Sequence, residues 1–272
     1  MRELSLDEMK KIELEMVEDI ANFCEENNID YFLCGGSLLG AIRHKGFIPW
    51  DDDIDLGMTR DNYEKFIKTF SSEKYNLFYS TGDAPYYLPF IKVCDKRTVL
   101  KGITDFGSEM GVWVDIFPMD QVPEDMKKTQ KFVRRMTWKR FFVIAMTADD
   151  IHNRKFTSRV FIHLVRIYMK LFRVKKARVM EKYDRCAKKY SSIETSKMGC
   201  VVWGYGMGEI CDRSVFENTT FAPFEHLSVR ILENYHPYLE GIYGDYMKLP
   251  PEEKRVLKHE DSTLFLKDGC EI

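Results

Sequence analysis

Between residues 31 and 56 the chain runs Tyr31-Phe32-Leu33-Cys34, then Gly35-Gly36-Ser37, then Leu38 to Arg43, and one loop later Asp51-Asp52-Asp53-Ile54-Asp55. Few folds accommodate that succession. The apolar run at 31–34, bounded by turn residues, predicts a buried strand. Leu38–Arg43 predicts a short helix, and 53–56 alternates polar and apolar as a second strand does. A Gly-Gly-Ser turn between strand and helix leaves N–H groups unpaired at the positive end of the helix dipole, an arrangement that binds phosphate. Its glycines permit positive φ and close approach of a ligand. Residues i and i+2 of a strand share a face, so Asp51, Asp53 and Asp55 are expected side by side, with Ile54 buried behind. Converging carboxylates repel one another unless a cation sits between them. Oxygen donors without His or Cys in the run favour Mg²⁺ or Mn²⁺ over zinc. An EF-hand is excluded: counted from Asp51, loop position 6 is Leu56 instead of Gly and position 12 is Asn62 instead of Glu.

Around this segment the pattern is that of an α/β protein. Ser5 and Glu8 form a capping box ahead of Met9, Ile12, Met16, Ile20 and Phe23, which predicts an amphipathic helix over 6–26. Tyr63, Phe66, Ile67 and Phe70 mark another helix. Strands are expected at 75–80, 89–94, 97–101 and 111–117. Helices follow at about 124–147 and 156–190, then an irregular Gly-rich aromatic stretch at 202–208 and turns at 243–246 and 249–252. Within 111–117, Asp115 lies between Val114 and Ile116, where a lone carboxylate is expensive to bury without a task. Arg43, His44 and Lys45, between the glycines and the aspartates, are positioned to clamp a diphosphate.

A phosphate cradle next to a metal-binding Asp-x-Asp strand is the layout of the nucleotidyltransferase superfamily, and the match goes further. The segment 31–56, with GVWVDIFPMD at 111–120 and YLEGIYGDYMKLPPEEK at 238–254, strongly resembles the LicD family of phosphocholine transferases, related to the fukutin-type sugar-phosphate transferases. The resemblance covers most of 1–120 and 220–260. It implies a nucleotidyltransferase-like mixed sheet flanked by helices; the order of segments along the chain, read by itself, gives a catalytic core at 1–125, a basic helical insertion at 126–200, and a segment at 201–272 that completes the same domain. It implies that Gly35, Gly36 and Ser37 hold nucleotide phosphates and that Asp53 and Asp55 bind the catalytic metal with Asp51 in support. Asp115 would be the third carboxylate, either metal ligand or general base. The Tyr243–Tyr246 turn and His259 match a family block whose roles stay open.

The reaction so implied is Mg²⁺-dependent transfer of phosphocholine from CDP-choline to a sugar hydroxyl of a cell-surface glycan precursor, of teichoic acid or lipopolysaccharide type, with release of CMP. CDP-ribitol or CDP-glycerol as donor, a nucleotidyltransferase releasing pyrophosphate, and a non-catalytic nucleotide-binding module are the alternatives. Choline would need aromatic rings around its quaternary ammonium. Trp50, Tyr86, Tyr87, Trp113, Trp203 and Tyr205 are candidates among which the sequence does not choose.

Composition narrows the setting. Seven scattered cysteines without a CxxC argue against a disulfide framework or zinc knuckle and fit a reducing cytosol. No apolar run approaches a membrane span, and the N-terminus has no signal-peptide core, so a cytoplasmic protein, with contact at the inner membrane face, is expected. The net charge of −2 conceals an asymmetry: residues 126–190 hold 20 Lys/Arg against 4 Asp/Glu, a net of +16, and the remainder carries −18. Such a block suits an anionic membrane or a polyanionic glycan, or is simply a solvated helical face. On a helix, Arg159, His163, Arg166, Lys170 and Arg173 would share one side. Nothing points to nucleic acid as a partner.

Overall fold

Ser5 caps the first helix from both directions. Its hydroxyl accepts the Glu8 N–H at 3.3 Å, and the Glu8 carboxylate accepts the Ser5 N–H at 2.9 Å. Helix α1 (Leu6–Glu26) follows a short strand β1 (Arg2–Glu3) and buries Ile12, Met16 and Ile20 completely, as its apolar spacing dictates. The structure, a computed structural model, describes residues 1–80, 86–101, 110–148, 155–256 and 263–272. His259 lies outside the described residues.

The chain continues through β2 (Phe32–Leu33), α2 (Gly35–Arg43), β3 (Ile54–Thr59), α3 (Arg60–Thr69), β4 (Tyr75–Phe78), β5 (Ile91–Asp95), β6 (Thr98–Lys101) and β7 (Trp113–Val122). Three helices follow: α4 (Met126–Thr147), α5 (Phe156–Leu171) and α6 (Lys176–Ala187). The last part comprises β8 (Lys197–Gly199), β9 (Cys211–Asp212), α7 (Arg213–Glu217), β10 (Thr219–Phe224), β11 (Leu227–Leu232), α8 (His236–Tyr243) and β12 (Thr263–Leu266).

The central sheet is mixed, in the order β2-β3-β7-β5-β4, with β8 extending from the end of β7 and β9 from β8. The β3–β7 pairing is parallel and the others are antiparallel. Strand β7 is the spine. It pairs with β3 and β5 through its first half, while Asp120–Val122 pairs with β8. Ile54, Leu56, Val93, Val114 and Ile116 are wholly buried at its centre. This mixed α/β sheet flanked by helices is the fold class the sequence pattern predicts.

Four local differences matter. Gly35–Ser37 is not a loop ahead of the helix but its first turn. Asp51–Asp53 precede β3, so the alternation argument applies to Asp55 alone. The expected helix 156–190 is broken between α5 and α6, where Arg173 adopts a left-handed φ of 49°. The β10–β11 hairpin and β12 have no counterpart in the sequence reading. The hairpin turn uses Glu225 at φ 54° in place of glycine, and tertiary contacts hold it there. Its N–H donates to the Lys45 carbonyl at 2.7 Å, and its carboxylate accepts the Phe47 N–H at 3.0 Å.

Both later regions are joined to the core. Arg60, buried at the start of α3, donates two bonds of 2.7 Å to Asp120 of β7 and reaches Asp184 of α6 at 3.2 Å. Strand β12 pairs with β6 and β1.

Candidate active site

The turn that opens α2 is bound to the strand that carries the aspartates. Asp55 donates its N–H to the Ser37 hydroxyl at 2.8 Å, and its carbonyl accepts the Cys34 N–H at 3.0 Å. Gly35 has φ +53°, and a Cβ there would stand 3.3 Å from Asp55 Oδ2. Both the left-handed backbone and the tight approach call for glycine. The first-turn N–H groups of Gly36 and Ser37 have no acceptor within the helix. The dipole thus opens beside Asp55.

Asp51 and Asp52 are buried and Asp53 is half-buried, and one carboxylate oxygen of each lies within 4.8 Å of the others. The gathering is therefore of three consecutive residues in a turn, which brings in Asp52, and not of alternate residues on a strand. Two buried carboxylates beside a third fit a hard divalent cation held by oxygen donors. Glu13 of α1 stands behind them. It is 2% exposed, its Oε2 has no hydrogen-bond partner among the described residues, and burial together with Asp53 and Asp52 raises its carboxyl well above the usual range. Its signal in the sequence was an acid at a position of α1 where the apolar stripe should continue.

Asp115 faces Asp55 across the parallel β3–β7 register and Lys92 across the antiparallel β5–β7 register. Lys92 Nζ donates to both Asp115 oxygens, at 2.7 and 2.9 Å, in a buried ion pair, and lies 4.2 Å from the centre of the Trp113 ring. The lone aspartate in an apolar strand is thus charge-compensated, by a lysine that sequence reasoning did not single out.

Two cavities meet at this wall. One, of about 580 Å³, is lined by Gly35, Asp53, Asp55, Asp115, Lys92 and Glu209. The other, of about 950 Å³, is lined by Gly36, Asp51, Arg43, Tyr243, Asp245 and Arg255. Tyr205 belongs to both. Arg43 donates to the Tyr246 carbonyl at 2.8 Å and to His44 Nε2 at 2.9 Å. Burial, then Arg43, lowers the His44 pKa. Lys45 is exposed, at φ 64°, and lines neither cavity. Of the aromatic candidates, four carry one of the protein's own cations against the ring: Trp50 has Arg255, Tyr87 has Lys176, Trp113 has Lys92 and Trp203 has Arg140. Tyr205 instead meets Tyr243, with ring centroids 5.5 Å apart. Tyr86 is buried in the core.

Glu209 also escaped the sequence reading. Its carboxylate accepts the Tyr205 N–H at 2.7 Å and the Tyr238 hydroxyl at 3.1 Å, and that hydroxyl accepts the Gly35 N–H at 3.3 Å. The Gly-rich aromatic stretch and α8 are thereby coupled to the cradle. Burial pushes the Glu209 carboxyl up to about 7. A Cβ on Gly204 would fall 2.1 Å from Glu209 Oε2, so glycine there makes room for the acid. The only hint in the sequence was the acid that ends the Gly-rich run.

Residues 28–158 match the LicD/FKTN/FKRP nucleotidyltransferase-domain family. The chain is 32% identical to the lipopolysaccharide cholinephosphotransferase LicD of Haemophilus influenzae over 98% of its own length and 100% of that protein's. It is 51% identical over 39 residues to the ribitol 5-phosphate transferase FKRP of mouse and of human, which is 14% of this chain and 8% of theirs. These similarities place the chain among transferases of phosphorus-containing groups. The chain belongs to the LicD family.

Proposed function

We propose that the protein transfers phosphocholine from CDP-choline to a sugar hydroxyl of a cell-surface glycan precursor, teichoic acid or lipopolysaccharide in type, and releases CMP. The full-length similarity to a cholinephosphotransferase supports the donor and the kind of acceptor. The observation that carries the reading is the meeting of two cavities at one carboxylate wall, with room on either side for one of two substrates.

The sheet and its helices form a nucleotidyltransferase-type core in this reading. Asp51, Asp52, Asp53 and Asp55 would hold Mg²⁺ or Mn²⁺, which when bound neutralises the diphosphate and stabilises the CMP leaving group. Gly36 and Ser37 N–H groups bind phosphate oxygens at the opening of α2. Arg43 contributes charge from the second cavity. Asp115 accepts the proton of the attacking sugar hydroxyl, or acts as a further ligand, and Lys92 compensates its charge until substrate arrives. The Tyr205–Tyr243 pair, beside Asp51 and Asp245, receives the quaternary ammonium.

One observation favours a second reading, a ribitol or glycerol phosphate donor. Most of the other aromatic faces near the site already hold the protein's own cations, and a stretch of 39 residues is 51% identical to a ribitol 5-phosphate transferase. Incubation with CDP-choline, CDP-ribitol, CDP-glycerol, CTP or ATP and Mg²⁺ separates these readings by product. CMP formed fastest from CDP-choline is expected, and pyrophosphate released from CTP or ATP would overturn the assignment.

A further inference from the structure

Helices α4 and α5 contain no carboxylate in their 38 residues. Alpha-5 also turns most of its apolar side chains outward. Ile162 and Val165 are its buried residues, whereas Phe156, Leu164, Ile167 and Leu171 are 77%, 59%, 61% and 72% exposed. At 3.6 residues per turn these outward residues share one face. Arg159 and Lys170, with His163 between them, line its edge as a basic stripe. Arg166, on the same stripe, is tethered by a 2.5 Å bond to the Ala148 carbonyl. On α4, Trp138 and Phe141 are exposed as well and meet edge to face at 6.1 Å. Trp138 is 66% exposed, and Phe141 also lines the cavity that holds Asp53, Asp55 and Asp115. No helix among the described residues is long and apolar enough to cross a bilayer.

We infer that the α4–α5 surface docks on an anionic lipid bilayer, with the outward face of α5 in the headgroup–acyl boundary and the flanking cations on lipid phosphates. An exposed apolar face beside a stripe of Lys and Arg is what interfacial helices present to anionic membranes. A hydrophilic polyanion would satisfy the cations yet leave Leu164, Ile167 and Leu171 in water. A second copy of the chain would cover the apolar face but oppose two cationic surfaces of the same sign. Docked in this way, the surface would include Phe141, which also lines the carboxylate-bearing cavity, and would hold a lipid-linked acceptor near it. That last step rests on the function proposed above, while the docking does not.

The test is sedimentation of the full chain with vesicles of phosphatidylcholine, and of phosphatidylcholine with phosphatidylglycerol at roughly three to one. The wild type should pellet with the anionic vesicles at low salt, less at high salt, and hardly with the neutral ones. Leu164→Ser/Ile167→Ser/Leu171→Ser and, separately, Arg159→Glu/Lys170→Glu should each weaken binding at least ~10-fold, because both the apolar and the electrostatic contributions are needed. Both variants should release CMP from CDP-choline as the wild type does when acceptor is absent. A wild type that stays in the supernatant with anionic vesicles overturns the proposal. So does an apolar variant that pellets like the wild type, the result expected if a soluble polyanion is the partner. A wild-type dimer that the apolar variant turns into monomer, seen by analytical ultracentrifugation, would assign the face to a second copy. If CDP-choline is not turned over, the proposed reaction fails, but vesicle binding needs no donor and still reports on this surface.

Discussion

Lys92 closes on Asp115 with both carboxylate oxygens within 2.9 Å, directly across the sheet from the register partner of Asp115, Asp55. The acid that a sequence reader singles out as catalytic is therefore also half of a buried ion pair, and its replacement has two separable consequences. Asp115→Asn should lower kcat at least ~10²-fold, as loss of a general base or electrostatic group does. It should also destabilise the fold by about 3 kcal/mol, because Lys92 is left buried and uncompensated. Lys92→Met/Asp115→Asn should recover much of that stability and none of the activity, which thermal denaturation and CMP release measure independently. Near-normal kcat in Asp115→Asn would leave the pair a structural one.

The crowded turn gives the opposite stability result. Asp53→Asn or Asp55→Asn should abolish turnover and leave the cation-free protein as stable as the wild type or slightly more so, since each relieves repulsion among neighbouring carboxylates. EDTA should silence the wild type. Full activity in chelator would refute the divalent-cation assignment.

Gly35 tests the link between cradle and strand. Gly35→Ala places a side chain at φ +53°, at a cost of roughly 1–2 kcal/mol, and presses on Asp55 Oδ2. The expected outcome is a fall in melting temperature of roughly 3–6 °C. Turnover should drop far more than that fall explains, measured well below the transition. A variant with altered stability and unchanged kcat would show that Asp55 tolerates displacement.

Glu209 predicts a pH dependence of stability. Burial raises its folded pKa from 4.5 to about 7, so between these values the unfolded chain releases its proton first. Stability from this group is present below about pH 4.5 and is lost as pH rises toward 7. Glu209→Gln removes that loss. The stability of the variant relative to wild type should rise between pH 5 and pH 8 by at most about 3 kcal/mol, from a starting difference that the hydrogen bond the amide cannot reproduce lowers by a constant amount. A constant difference across that range would show that the Glu209 carboxyl titrates as it does in the unfolded chain.

What the sequence determined by itself is local or periodic. The capping box and apolar spacing of α1, the Gly35-Gly36-Ser37 turn, the alternation of Asp55 with Ile54 and Leu56, and the isolation of Asp115 between Val114 and Ile116 each follow from neighbours a few residues away. The lack of carboxylates in α4 and α5 is likewise plain in the sequence, but whether the apolar side of α5 would pack inward was not. Periodicity shows that a helix has two faces without showing which neighbour, if any, covers one of them. Tertiary structure alone decided that the outward residues of α5 stay uncovered, and that Lys92, Glu13, Glu209 and Tyr238 converge on the aspartates from β5, α1, the Gly-rich stretch and α8. Those four come from positions as far apart as 13 and 238, and no spacing rule relates them. Burial gives each its chemistry: it forces Lys92 to pair, raises the carboxyls of Glu13 and Glu209, and turns the Tyr238 hydroxyl into a bridge between Gly35 and Glu209.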